Sequence, residues 1–197
     1  ESNFHQISGA VAFYYGDRFV HLDSIAHHSA QRLVHVGQQG GLVKEKRTIY
    51  DKGSERFTSA ASYFCQRGYV AVVQDCRGRF CSEGDYYHMA NEATDGYDAV
   101  EWIAAQPWSN GKIGMMGSSH RAIVQTQAAL RSPPHLRAIC PEQGPTNIYL
   151  HEAREGGAMA LHMYTAIYNH ALDAQEIRDD IDAVRQVAQG MADARIW

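Results

Sequence analysis

Apolar and polar residues along the middle of the chain follow strand and helix periods in turn. Residues 57–67 carry apolar side chains at helical spacing, and Gly68 ends that helix. The run 69–73 is short and wholly apolar, which is typical of a strand buried on both faces. The remaining predicted elements are helices over 91–106 and 121–130 and strands over 112–116 and 136–141.

Strands that alternate with helices of this length predict βαβ units, and therefore a parallel sheet with helices on both faces. After Gly156 and Gly157 the pattern is helical only, over 158–168 and 174–194. A helical segment after such a sheet is typical of a cap over its carboxyl edge, where ligands bind. We therefore expect an α/β core over residues 1–150 and a cap-like segment over 151–197.

The first 47 residues have a weaker pattern. Short strands are predicted over 11–15 and 18–22, around a turn at Gly16 and Asp17. The stretch 27–39 is rich in His and Gln and has no clear period. An edge hairpin is the most that this part of the sequence indicates.

Composition narrows the function classes. With 45% hydrophobic and 20% charged residues the chain is ordinary globular protein, and its net charge of −4 argues against nucleic acid as a partner. We find no apolar run long enough to cross a membrane. The four cysteines form no C-x-x-C pair, so we expect reduced thiols, a cytoplasmic location and no metal. The adjacent His27 and His28 are more typical of a solvated loop than of a metal site.

A candidate nucleophile lies at Ser119, where the predicted strand runs into the next helix. The segment GMMGSSHRA (114–122) resembles a nucleophile elbow, in which a tight turn presents a serine Oγ above the sheet. The N–H of the next residue, His120, would then face a developing oxyanion. Arg121 stands where G-x-S-x-G has its last glycine, and a helix-capping serine is the alternative interpretation.

A series of longer motifs is more specific than the serine motif. It comprises RTIYDKGSERF (47–57), AASYF (60–64), QRGY (66–69), QDCRGR (74–79), SEG (82–84), DGYD (95–98), EWIAAQPW (101–108) and GKIG (111–114). This series resembles the cocaine esterase and X-prolyl dipeptidyl peptidase (CocE/NonD) family of α/β-hydrolases. The resemblance covers about residues 47–197.

The resemblance implies an α/β-hydrolase core, apparently truncated, with the beginning of a helical cap. It implies a serine hydrolase that cleaves ester or amide bonds, including dipeptidyl-peptidase activity, without a cofactor. Ser119 would be acylated, and the His120 N–H and the Tyr50 hydroxyl would form the oxyanion hole. The alternative for Tyr50 is a packed aromatic at a strand end. Trp102 and Trp108 are expected to pack, and Asp75 and Arg77 to form a structural loop pair.

The sequence also departs from the family's pattern G-x-S-Y-x-G. His120 replaces the tyrosine and Ala122 the last glycine, a change that a small side chain in a helical conformation tolerates. The family's catalytic acid and histidine would come later than residue 197, after the cap. Other histidines that we considered as a base are His27, His28, His35, His135, His151, His162 and His170; for His151, no acid partner is identifiable.

Three interpretations therefore remain at this stage. The chain is a hydrolase with an unconventional base acting on a small-molecule ester or amide. Alternatively, it is a catalytically silent α/β-hydrolase fragment that serves as a binding or assembly module. In the third, a second copy or another polypeptide completes the triad, since an incomplete sheet exposes edge strands that favour association.

Overall fold

A computed structural model of the chain describes residues 11–15, 18–20, 41–80 and 82–193. Six strands form one sheet, and three helices pack against it. Strands β1 to β6 are Val11–Tyr15, Arg18–Val20, Gly41–Thr48, Tyr69–Asp75, Ser109–Ser118 and Leu136–Glu142. Helices α1 to α3 are Glu55–Cys65, Glu92–Ala104 and His120–Leu130.

The strand order is β2-β1-β4-β3-β5-β6. The pairs β3–β4, β3–β5 and β5–β6 are parallel, whereas β1 pairs antiparallel with β4 and with β2. The first two strands thus form the expected hairpin at one edge. The predicted α/β class with a parallel core is confirmed. Because β3 and β5 are parallel neighbours, their carboxyl ends meet at one edge of the sheet.

Strand β4 shows why helices cover both faces. Its residues Val70 and Val72 pack with α2, α3 and β5 in one cluster, while Ala71 and Val73 pack with α1 in another. Successive side chains of a strand point to opposite faces, so a strand buried at every position after its first needs a layer on each side. Trp108 is buried in the first cluster and makes an edge contact with Trp102, so both tryptophans pack as predicted.

Strand β3 was not predicted, although it lies at the centre of the sheet. Its sequence GLVKEKRT carries four charged residues in a row, which hides any apolar period. One of them, Arg47, is fully buried and pairs with the buried Glu92 of α2 at 3.0 Å. The sequence indicated at most an edge hairpin before Thr48, and β3 corrects that interpretation.

The chain after β6 is not purely helical. A π-helical turn at Tyr149–Ala153 leads into a two-stranded ladder of β7 (Arg154–Glu155) and β8 (Ala158–Met159). Three helices follow, α4 (Leu161–Leu172), α5 (Gln175–Arg178) and α6 (Ile181–Asp193). The helix predicted from residue 158 thus begins three residues later, and the one predicted over 174–194 is split. The division at residue 150 stays a prediction. Among the described residues, no helix has the length and apolar character needed to span a membrane.

Candidate active site

Ser119 occupies the bend between β5 and α3, and it is exposed at the carboxyl edge of the sheet. Its backbone angles are φ 59° and ψ −130°, a conformation that residues with a Cβ rarely adopt. Such strain persists only where the surroundings impose it, and it is typical of functional sites. The geometry is that of a nucleophile elbow rather than of an ordinary helix cap, and the Ser119 side chain makes no capping hydrogen bond.

Small residues around the bend make this conformation feasible. Gly117 has φ 148°, and a Cβ placed there would lie 2.6 Å from the Cβ of Arg121. The Cβ of Ala122, which stands where the family motif has glycine, lies only 2.5 Å from where a Cβ of Gly144 would be. Glycine at 144 therefore leaves the room that alanine at 122 takes up.

Backbone hydrogen bonds fix Ser119 and leave one donor free. The Ser119 N–H donates to the carbonyl oxygen of Glu142 on β6 at 3.0 Å, and its own carbonyl accepts from the Ala122 N–H at 2.7 Å. The N–H of His120, at the first position of α3, has no acceptor among the described residues. A free N–H at a helix N-terminus attracts negative charge, so it suits an oxyanion.

Tyr50 follows β3, the strand next to β5, and so emerges at the same edge as Ser119. Asp75 anchors the loop that carries Tyr50. Its carboxylate accepts hydrogen bonds from the Lys52 N–H at 2.7 Å and from Lys52 Nζ at 2.6 Å. Burial raises the pKa of Asp75, and the Lys52 ammonium opposes that shift. Asp75 and Arg77 do not form the expected pair with each other, because Arg77 binds Asp95 instead.

Two polar side chains lie near the phenol ring of Tyr50. The guanidinium carbon of Arg121 is 6.0 Å from the ring centroid, and the imidazole of His170 makes an edge contact with a centroid distance of 5.8 Å. Arg121 also donates to the Ser118 hydroxyl at 2.8 Å, which links the tyrosine to the elbow. Tyr50 is 39% exposed, and its hydroxyl has no hydrogen-bond partner among the described residues, so it is free to donate to a ligand.

The histidines considered as a base have varied positions. His135 binds Glu101 at 2.7 Å near the opposite, amino end of β6, and His151 and His162 are exposed on the cap-like segment. His27, His28 and His35 fall outside the described residues. Within the described part of the chain, no side chain forms a hydrogen bond with the Ser119 hydroxyl.

The sequence did not single out His88 or Arg79, and it placed His170 only in the cap-like region. The imidazoles of His88, His120 and His170 form a column, with centroid distances of 5.8 Å from His88 to His120 and 5.5 Å from His88 to His170. Since the three residues are far apart in sequence, no spacing rule could have found them. Among the described residues, no group of three or more His, Cys, Asp or Glu side chains has a metal-binding arrangement.

The sequence matches the X-Pro dipeptidyl-peptidase (S15) family over residues 14–195. The chain belongs to this family. Among curated relatives, cocaine esterase from Rhodococcus is 37% identical over 86 residues, which cover 44% of this chain and 15% of that protein. This S15-family chain therefore matches only a part of its curated relatives' length.

Solved structures agree on the fold of this S15-family chain. A CocE/NonD family hydrolase from Staphylococcus aureus aligns with a TM-score of 0.63 at 21% identity, over 94% of this chain and 40% of the other. An α-amino acid ester hydrolase aligns with a TM-score of 0.51 at 27% identity, over 59% of this chain and 23% of the other. The matched proteins are esterases, peptidases and hydrolases, and the family assignment expected from the motifs is confirmed.

Proposed function

We propose that the protein is a serine hydrolase that cleaves an ester or amide bond through an acyl-enzyme on Ser119. The observation that carries the proposal is the strained bend at Ser119, with φ 59° and an exposed side chain at the carboxyl edge of the sheet. A serine held in this way can reach a carbonyl carbon above the sheet. The names of the relatives, cocaine esterase and α-amino acid ester hydrolase, favour a small acyl ester as the substrate.

In the proposed mechanism the Ser119 oxygen attacks the carbonyl carbon, and a base takes the hydroxyl proton. The carbonyl π electrons move to oxygen, which receives hydrogen bonds from the His120 N–H and the Tyr50 hydroxyl. Donors already fixed in place stabilise this charge without reorganising, which is a large term in acyl transfer. The leaving group departs with a proton, and water then releases the acid from Ser119.

A second candidate function, that of a binding or assembly module, depends on whether a base for Ser119 is supplied. The Ser119 hydroxyl has no hydrogen-bond partner in the described residues, and β6 pairs there only with β5 while most of its residues are exposed. These two observations favour a site completed by a further segment or another chain. Without such completion the unit would serve as a binding or assembly module.

A fluorophosphonate probe tests the proposal directly, because it forms a stable bond only with an activated serine. We expect an adduct at Ser119 that is lost in Ser119→Ala. The matched control is Ser118→Ala, which removes the adjacent hydroxyl and should keep the label. A folded sample that shows no adduct would contradict the hydrolase and favour the binding module.

A further inference from the structure

The histidine column joins three separate elements and ends on the proposed oxyanion donor. His120 lies at the start of α3, His88 in the loop before α2, and His170 in the last turn of α4. The ring of His170 then contacts the ring of Tyr50 at 5.8 Å, in an edge arrangement of 72°. The column therefore runs from the elbow, through the cap-like segment, to the phenol of Tyr50.

Four of the six ring nitrogens in this column are buried without a hydrogen-bond partner among the described residues. His120 is 3% exposed and neither of its ring nitrogens has a partner, and the same holds for Nε2 of His88 and Nδ1 of His170. Nδ1 of His88, by contrast, forms a hydrogen bond with the Tyr86 hydroxyl at 2.7 Å. Buried polar atoms without partners cost stability, so such a group in a folded protein needs an explanation.

Arg79 connects His170, the end of the column next to Tyr50, to the loop that carries Tyr50. Its guanidinium is 1% exposed and donates to the carbonyl oxygen of His170 at 2.6 Å and to Asp173 at 2.7 Å. The same group donates to the carbonyl oxygen of Ile49, at 3.1 and 3.2 Å. Because Ile49 directly precedes Tyr50, this one side chain holds the backbone at His170 close to the backbone just before Tyr50.

Burial and the neighbouring groups disfavour the protonated form of each imidazole in the column. Burial lowers the pKa of His88 to about 4, and His170 and Arg79 add to that shift. Burial likewise lowers the pKa of His120, together with His88, His170, Arg47 and Arg121. For His170 the pKa is lowered by burial and Arg79, while Asp173 opposes. Acid would thus place repelling charges within the column.

We propose that His170 is a positioning residue that holds the phenol of Tyr50 at the oxyanion site, and that it does so only while the column is uncharged. The guanidinium carbon of Arg121 lies 6.0 Å from the same ring centroid, so the loss of His170 would remove one of two contacts that restrain the phenol. The contact itself is a property of the folded chain. Its importance for turnover rests on the proposed function.

The test needs no turnover, because it follows the Tyr50 ring by nuclear magnetic resonance. The Tyr50 signals are assigned with Tyr50→Phe, and the wild-type protein is titrated from pH 7 to 4. We expect these signals to shift with a midpoint below 6.5, the ordinary pKa of histidine. In His170→Gln they should move to free-tyrosine positions and lose the titration, whereas His162→Gln on the same helix should behave as wild type.

A second variant separates the ring contact from a general loosening of the cap. His170→Phe keeps an aromatic ring but cannot be protonated, so Tyr50 should keep its wild-type signals at pH 7 and lose their titration. If His170→Phe resembles His170→Gln, or if His170→Gln leaves the Tyr50 signals unchanged, the proposal is wrong. A failure of Ser119 to react with the probe would leave these results unaffected, so the two proposals can fail separately.

In an active sample, a further readout is available on ester turnover. His170→Gln should lower kcat by about tenfold with little change in KM, as expected for a contact that matters mainly in the transition state. In the Tyr50→Phe background the same substitution should cost nothing more. An additive loss in the double variant would overturn the positioning role.

Discussion

The strain at Ser119 makes a prediction about stability that does not depend on catalysis. With φ 59° and ψ −130° the residue has a backbone conformation that is unstrained for glycine and strained for other residues. Relief of such strain is worth about 2 kcal/mol, and the extra backbone entropy of glycine in the unfolded chain costs about 1 kcal/mol. We therefore expect Ser119→Gly to be more stable than Ser119→Ala by about 1 kcal/mol.

Comparing glycine with alanine at one position removes the hydroxyl from both proteins, so only the backbone preference differs. The measurement is urea unfolding followed by circular dichroism, with equal slopes required of both variants. The matched control is Ser59, which is exposed within α1. There Ser59→Gly should be less stable than Ser59→Ala by about 1 kcal/mol, the opposite sign, because glycine is a poor helix former.

If Ser119→Gly is the less stable variant, by an amount similar to that at Ser59, the residue has an ordinary helical or extended backbone. The nucleophile elbow would then be absent, and the catalytic role of Ser119 would lose its main support. Equal stabilities would also contradict the reasoning, because the strain would be no larger than the entropy term.

Three further predictions concern the surroundings of Ser119. Tyr50→Phe should lower ester turnover by on the order of 10²-fold, with the exposed Tyr87→Phe unchanged; an equal rate in both would remove Tyr50 from the oxyanion hole. Lys52→Met should lower the free energy of unfolding by about 3–5 kcal/mol, since it leaves the buried Asp75 carboxylate unpaired, while Lys112→Met at an exposed site should cost less than 1 kcal/mol in the same urea assay. Finally, the protein should lose stability as pH falls from 6.5 to 4. In this pH range His88 takes up a proton in the unfolded chain but not in the folded chain, where its pKa is about 4. The contribution is on the order of 3 kcal/mol, and a His88→Gln variant with an undiminished pH slope would refute it.

Much of the fold was predictable because buried strands and amphipathic helices have periods that show in the sequence. The run Tyr69–Val73 is apolar throughout because helices cover both faces of β4, and the structure extends that strand only to Asp75. The central strand β3 was missed for a physical reason. One of its charged residues, Arg47, pairs with Glu92 inside the protein, and a search for apolar periods does not register such a pair.

The residues of the candidate site were likewise predictable from the sequence only in part. Ser119 follows a predicted strand and carries a local motif, so the sequence could place it at the carboxyl edge of the sheet. Tyr50 follows the unpredicted strand β3, and only the family resemblance pointed to it. The column could not be predicted, since His88 and His170 are 82 residues apart and meet only through the cap-like segment. Arg79 was hidden for the same reason, because its partners His170 and Asp173 lie more than 90 residues further along the chain.

The electrostatics of the column bear on the missing base. Near pH 7 a histidine with a pKa of about 4 binds a proton roughly 300-fold more weakly than an ordinary histidine, so His88 suits a structural contact better than proton transfer. The free ring nitrogens of His120 are buried beside another imidazole, and they are equally unsuited to the task. No described side chain forms a hydrogen bond with the Ser119 hydroxyl, and we therefore propose that its base comes from outside the described ranges or from another polypeptide. The dependence of probe labelling on protein concentration distinguishes these sources: a rate that is independent of concentration places the base on the same chain, whereas a rate that rises with concentration places it on a second copy.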